Sequence, residues 1–176
     1  DWRRWTESPA MTEAKRKARA AGLWNLFLPD PVLGAGLSHV EYATLAEEMG
    51  RNALAPEAFN CNAPDTGNME VLWKYGTPAQ QARWLKPLLD AEIRSCFCMT
   101  EPMGAGADPN QLRTTATLEG DHYVVKGRKW LITGGDGAGF GIIMADVPEK
   151  QGQPGGATMF LTDMDQPGIR LLREID

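Results

Sequence analysis

Two short stretches hold the residue types that could do chemistry. The first is Cys96-Phe97-Cys98-Met99-Thr100-Glu101-Pro102-Met103-Gly104-Ala105-Gly106-Ala107-Asp108, where an apolar run ends in a hydroxyl, a carboxyl and a proline before small residues. Pro102 disfavours a helical Glu101, so the run leaves its strand in an extended bend. Gly104 and Gly106 allow a backbone to approach a ligand that a side chain would hold off. Backbone groups of Met99 and Thr100, with the Thr100 hydroxyl, are left at that tip for a ligand. The second stretch, Gly127-Arg128-Lys129-Trp130-Leu131-Ile132-Thr133-Gly134-Gly135, predicts another strand tip with room beside it. Side by side in one sheet, Thr100 and Thr133 would flank a flat ligand. A plain loop fits the first stretch equally well, with Asp108 capping the next turn, and core packing alone explains Trp130 and Ile132.

Other chemistries find little support. Cys96 and Cys98 share a strand face, and with no His or second Cys pair beside them they read as small buried side chains. Together with Cys61 they make no disulfide framework and fit a reducing compartment. His39 and His122 lack metal-ligand spacing, so no metal is expected. A Gly-x-Ser-x-Gly elbow is absent, and Gly104-Ala105-Gly106 does not open a helix after a βαβ strand, as a dinucleotide fingerprint would. Glu47 and Glu48 point about a quarter-turn apart on a helix and read as solvated surface. A net charge of -5 argues against nucleic acid. No apolar run approaches membrane-spanning length, and Asp1-Trp2-Arg3-Arg4-Trp5 lacks the apolar core of a signal peptide.

The elements that must position these stretches follow from periodicity. Residues 9–21 are rich in helix formers and stop at Gly22, with Lys15, Arg16, Lys17 and Arg19 expected on a solvated face. Leu23–Pro29 reads as an extended connector, because Pro29 and Pro31 bar a helix. Ser38 and Glu41 form a capping box for a helix ending at Gly50. Residues 51–64 read as turns, and Asp65 caps a helix closed by Gly76. Thr77-Pro78-Ala79-Gln80 starts a helix carrying Trp84, Leu85, Leu88 and Leu89 on one stripe, which Pro87 should kink or split. From residue 95 the period changes to two. Strands are expected at 95–99, 113–118, 122–126, 128–133, 140–147, 157–162 and 168–173, with a hairpin turn at Glu119-Gly120-Asp121 and a surface loop over 148–156. The fold class is therefore α+β: an all-helical N-terminal domain over 1–93, then an antiparallel β-domain over 94–176. A last strand at 168–173 would leave a bare edge, so the β-domain is expected to be incomplete.

Taken together, Phe97–Pro102, Gly104–Asp108 and Gly127–Gly135 resemble the flavin-binding signatures of acyl-CoA dehydrogenases. Tyr75–Gln81 and Trp84–Leu89 precede them as in that family, and Arg19–Asn25 resembles the branch sometimes joined to a kinase-like domain. The resemblance implies FAD as cofactor, an acyl-CoA as substrate and α,β-dehydrogenation with hydride transfer to flavin. It implies that Phe97, Met99 and Thr100 meet the flavin ring, and that Gly106 and Ala107 lie near the phosphates, Ala107 also near the acyl-CoA. Leu131, Ile132 and Thr133 would border the ring, with Thr133 near its reactive nitrogen. An electron-transfer flavoprotein as electron acceptor and a homodimer or homotetramer are implied too, in bacterial cytoplasm or in a eukaryotic mitochondrion or peroxisome. Ala107 stands where the family often has Ser, and Leu131 where Trp is usual. The family's base is a Glu in a C-terminal helical domain, so none of Glu41, Glu47, Glu48 or Glu101 is assigned that role and this chain is expected to be inactive alone. A non-catalytic relative acting as an interaction module and an acyl-CoA oxidase are the alternatives.

Overall fold

A computed structural model describes residues 7–103, 108–150 and 154–174. It divides into two compact units, parted between Ile93 and Arg94. None of the described helices is long and apolar enough to cross a membrane.

The first unit is helical. Helix α1 (Pro9–Ala20) starts where the Ser8 hydroxyl accepts the Met11 N–H. It stops at Gly22, whose φ of +71° turns the chain so that Leu23 N–H reaches the Ala18 carbonyl. Helix α2 (His39–Met49) has the capping box expected of Ser38 and Glu41, and α3 (Ala55–Ala58) is a single turn within the 51–64 connection. Helix α4 (Asp65–Tyr75) begins one residue earlier than a cap at Asp65 would require. Asp65 is its first helical residue and is buried.

After the capping box of Thr77 and Gln80 the chain runs through α5 (Pro78–Gln80), a π turn over Gln81–Leu85, and α6 (Lys86–Leu89). The π turn is the response to Pro87, which has no N–H for the Arg83 carbonyl and would crowd it. Widening the preceding turn lets Lys86 N–H reach back to Gln81 O instead. Leu85, Leu88 and Leu89 are buried as their stripe requires.

Two asparagines close the unit. Helix α6 ends with carbonyls that have no partner inside the helix. Asn60 Nδ2 donates to Leu88 O (3.2 Å), to Leu89 O (3.2 Å) and to Asn25 Oδ1 (2.7 Å). Leu89 O also accepts from Asn25 Nδ2 (3.1 Å) and Trp24 Nε1 (2.8 Å). Both asparagines take positive φ, 51° and 54°, in buried turns, which Asn tolerates better than most residues. The segment 23–29 is accordingly a set of turns that buries Leu26, Phe27 and Leu28.

One charged position departs from expectation. Arg16 and Lys17 lie on a solvated face, but Lys15 is buried, paired with Glu7 and with Glu57 at 3.0 Å. A carboxylate from α3 makes its burial tolerable, and spacing along α1 carries no trace of that partner.

The second unit is a five-stranded sheet: β1 (Ser95–Cys98), β2 (Thr115–Glu119), β3 (His122–Lys126), β4 (Phe140–Val147) and β5 (Gly156–Asp163). Strands β2 and β3 form the expected hairpin, with Gly120 at φ +65° in its turn. Strand β4 lies centrally. Along one edge it pairs antiparallel with the whole of β5. Its other edge is shared: β1 runs parallel to Phe140–Ile143, and β2 meets it, also parallel, at the single bridge Thr115↔Asp146. The sheet is thus mixed, not antiparallel throughout. Alternating residues prescribe a face but not a strand direction.

Two expected strands are not formed. Residues 128–133 run as a loop, because Leu131 adopts a φ of +55° that no strand accommodates. Residues 168–173 are irregular, beginning at Gly168 with φ +100°, so the bare edge expected there does not arise. Gly127 has a steric reason to be glycine. A Cβ there would lie 2.1 Å from Thr114 Oγ1 and 2.6 Å from Thr114 Cβ. Gly127→Ala should therefore cost about 1–3 kcal/mol through forced displacement of Thr114, read as a lower denaturation midpoint; an unchanged midpoint would show that the corner yields freely.

Candidate functional site

The geometry around the two chemical stretches starts at the end of β1. Cys96 and Cys98 point to one face, where both are buried, their sulfurs 3.6 Å apart and Met164 Sδ 3.7 Å from Cys96 Sγ. Ala138, Ile132 and Ile143 complete this packing. The pair is a piece of core, in keeping with the small buried role expected of it. Phe97, on the opposite face, is half-buried.

Beyond Cys98 the strand pairing lapses. Thr100 is half-buried, and neither its N–H nor its hydroxyl is engaged by another described group. The Thr100 carbonyl is engaged: it accepts the Trp130 N–H at 3.0 Å. The two chemical stretches therefore meet, as a ligand flanked by both would require. Thr133, three residues past Trp130, is exposed, and no described group engages its hydroxyl.

A buried ion pair fastens this junction. Glu101, 7% exposed, accepts Arg113 N–H through Oε2 (2.7 Å) and Thr114 N–H through Oε1 (2.9 Å). Lys129 Nζ donates to the same Oε1 (2.8 Å) and to the Met99 carbonyl (2.9 Å). Thr114 O in turn accepts Asp146 N–H at 2.8 Å, so the cluster joins β1, the start of β2 and β4. Burial alone would raise the Glu101 pKa. The Lys129 ammonium and the two backbone N–H groups outweigh it and hold the carboxyl at about 2.

Sequence reasoning passed over both partners of this pair as partners. A signal of partnership existed, though not of which partner: the first stretch carries only acidic charges, Glu101 and Asp108, and the second only basic ones, Arg128 and Lys129. Charges embedded in apolar runs need partners.

The structure places the remaining candidates as follows. Met99 is half-buried, and its carbonyl is the one that Lys129 holds. Leu131 is 57% exposed and Trp130 38% exposed, so core packing does not account for Trp130. Ile132 packs against the cluster of Cys96, Cys98 and Ala138. Gly106 and Ala107 lie outside the described residues. Asp108 caps the turn Pro109–Gln111 by accepting the Asn110 N–H at 2.9 Å.

Comparison with known proteins agrees with this layout. Residues 1–92 match the model for the acyl-CoA dehydrogenase N-terminal domain, and residues 96–176 that for the acyl-CoA dehydrogenase middle domain. Acyl-CoA dehydrogenase family member 10 of Mus musculus is 46% identical over 98% of this chain and 17% of its own length. Among solved structures, an acyl-CoA dehydrogenase from Mycobacterium abscessus superposes with a TM-score of 0.92 at 50% identity, over 98% of this chain and 43% of that one. A glutaryl-CoA dehydrogenase from Mycobacterium smegmatis, in complex with FADH2, superposes with a TM-score of 0.68 at 25% identity over 90% of this chain and 38% of its own. This chain spans less than half the length of each. With a helical unit, a sheet unit and both domain models in the same order along it, the chain belongs to the acyl-CoA dehydrogenase family.

Proposed function

We propose that the sheet unit, residues 94–176, supplies one wall of an FAD site in a protein that dehydrogenates an acyl-CoA thioester, with residues 1–93 as its helical domain. The observation that carries this reading is that, among the described residues, nothing engages the N–H and hydroxyl of Thr100 at a tip bonded directly to the segment leading to Thr133. Polar groups without partners at a strand end suit a flat, hydrogen-bonding ring. The FADH2 held by the M. smegmatis relative adds support.

In this reading the backbone around Phe97 and Met99, with Thr100 and Thr133, holds the ring, and Leu131 covers one side. Gly106 and Ala107 belong near the phosphates and the acyl-CoA. Bound FAD would supply the hydride acceptor for the β-carbon of the thioester. The chain's own part is to fix the ring's orientation and keep water from one face. Glu101 does not take the α-proton: at about 2 its pKa makes it a feeble base, and both its oxygens are occupied. Glu47 and Glu48 lie exposed on α2, in the other unit. The base belongs to chain outside these residues. An electron-transfer flavoprotein as acceptor and assembly as a homodimer or homotetramer complete the proposal.

Titrating the 176-residue chain with FAD, followed by flavin fluorescence, tests it. Saturable, weak binding with no acyl-CoA-dependent dye reduction is expected. A chain that never takes up flavin would favour a non-catalytic interaction module, and dye reduction by this chain alone would place a base within it.

A further inference from the structure

We infer that Lys129 is a positioning residue for the flavin, acting through the Met99–Thr100 peptide; the inference rests on the FAD reading above. Three hydrogen bonds tie residues 99–101 to residues 129–130: Lys129 Nζ to Met99 O, Lys129 Nζ to Glu101 Oε1, and Trp130 N–H to Thr100 O. The first of these has an electrostatic result. Met99 C=O and Thr100 N–H belong to one planar peptide unit. A cation on its oxygen draws electron density through the amide, so the Thr100 N–H becomes a stronger donor. That N–H is the group no described residue engages at the tip.

The ammonium is well placed to act this way. Its side chain is 11% exposed and that of Glu101 is 6% exposed, so solvent screens the charge little. Glu101 holds it at a fixed point and keeps its charge from standing alone in the interior. The polarised N–H favours whichever ligand state carries more negative charge. For a flavin that is the reduced state, in which electron density builds on the ring. Lys129 thus does two things at once: it closes the junction between the two tips, and it biases the site toward reduced FAD.

The test compares dissociation constants of oxidised and dithionite-reduced FAD, measured anaerobically on the parent chain, on Lys129→Met and on Lys129→Arg. Circular dichroism first checks that each is folded. Lys129→Arg keeps a charge beside Glu101 and serves if Lys129→Met does not fold, since a guanidinium fork cannot set the same single point on Met99 O. Reduced FAD should bind the variants about tenfold more weakly, the worth of one charge-assisted hydrogen bond, with a smaller loss for oxidised FAD. Folded variants that bind both forms as the parent does overturn the inference while leaving the FAD reading intact. Equal losses for both forms overturn it too, because a merely structural tie would act that way. A parent chain that binds neither form overturns the FAD reading itself.

Discussion

Glu101→Gln is expected to destabilise the sheet unit by about 3–5 kcal/mol at neutral pH, the usual cost of removing one partner of a buried ion pair. The amide keeps the shape of the side chain but withdraws the charge that Lys129 faces at 2.8 Å. It also offers an NH2 where Arg113 or Thr114 now donates, so one donor meets another. The pH dependence gives an independent check. The carboxyl titrates at about 2 in the folded chain against 4.5 ordinarily. A depressed folded value stabilises above the unfolded one, so the contribution is fully present above about pH 4.5. It is lost as the pH falls through about 2, and amounts to about 3 kcal/mol. Urea unfolding between pH 2 and 7, followed by amide exchange at Arg113 and Thr114, should show a steep acid limb in the parent and a flatter one in Glu101→Gln. Coincident limbs would mean that the pair does not stabilise the fold.

Asn60→Asp is the corresponding experiment in the helical unit. Asn60 is fully buried and its NH2 faces three oxygens, those of Asn25 Oδ1, Leu88 O and Leu89 O. Aspartate is nearly the same size and tolerates the φ of 54° as well as asparagine does. Backbone strain is therefore not the variable. What changes is that an anion replaces two donors, leaving the end of α6 and an unpaired charge without compensation. A loss of about 3–5 kcal/mol at pH 7 is expected. Protonation removes the charge, so the loss should shrink toward pH 4 because the variant gains stability on acidification, whereas in the Glu101→Gln comparison it is the parent that loses stability. Equal losses at both pH values would show that the ionised form is somehow satisfied there.

What the sequence revealed, and what it hid, divides by distance along the chain. Ser38 with Glu41, and Thr77 with Gln80, declare helix starts because cap and capped group lie three residues apart. The period of two at 95–98, 122–126 and 140–147 was legible for the same local reason. Lys15 was misread because, of its two partners, Glu57 is 42 residues away and Glu7 lies off the helix that carries it. Residues 128–133 alternate as a strand would, yet Leu131 takes a left-handed turn and the segment is held by Lys129 and by the Trp130 N–H. Those attachments reach across about thirty residues, and no local pattern encodes them. At the site, the end of the first strand was legible, whereas the second stretch, expected as a strand tip, proved a loop lying beside it. The ion pair that joins the two was not legible, since nothing in spacing says which carboxylate a lysine will meet.

The divided edge of β4 has a consequence for how the sheet opens. The ladder with β5 runs through eight residue pairs, whereas the β2–β3 hairpin reaches β4 at one bridge. Opening free energies differ between parts of a fold according to the bonds each must break. The hairpin is therefore the natural unit of partial unfolding, able to lift away while β1, β4 and β5 stay paired. The Glu101 carboxylate, through the Arg113 and Thr114 amides, is a further clasp at the hairpin's entry. Loss of that clasp would leave the hairpin held by its bridge, by the Tyr123 ring against Phe160 and by Lys150 Nζ on Leu118 O, so protonation of Glu101 should raise how often this flap swings free while the rest of the sheet stays paired.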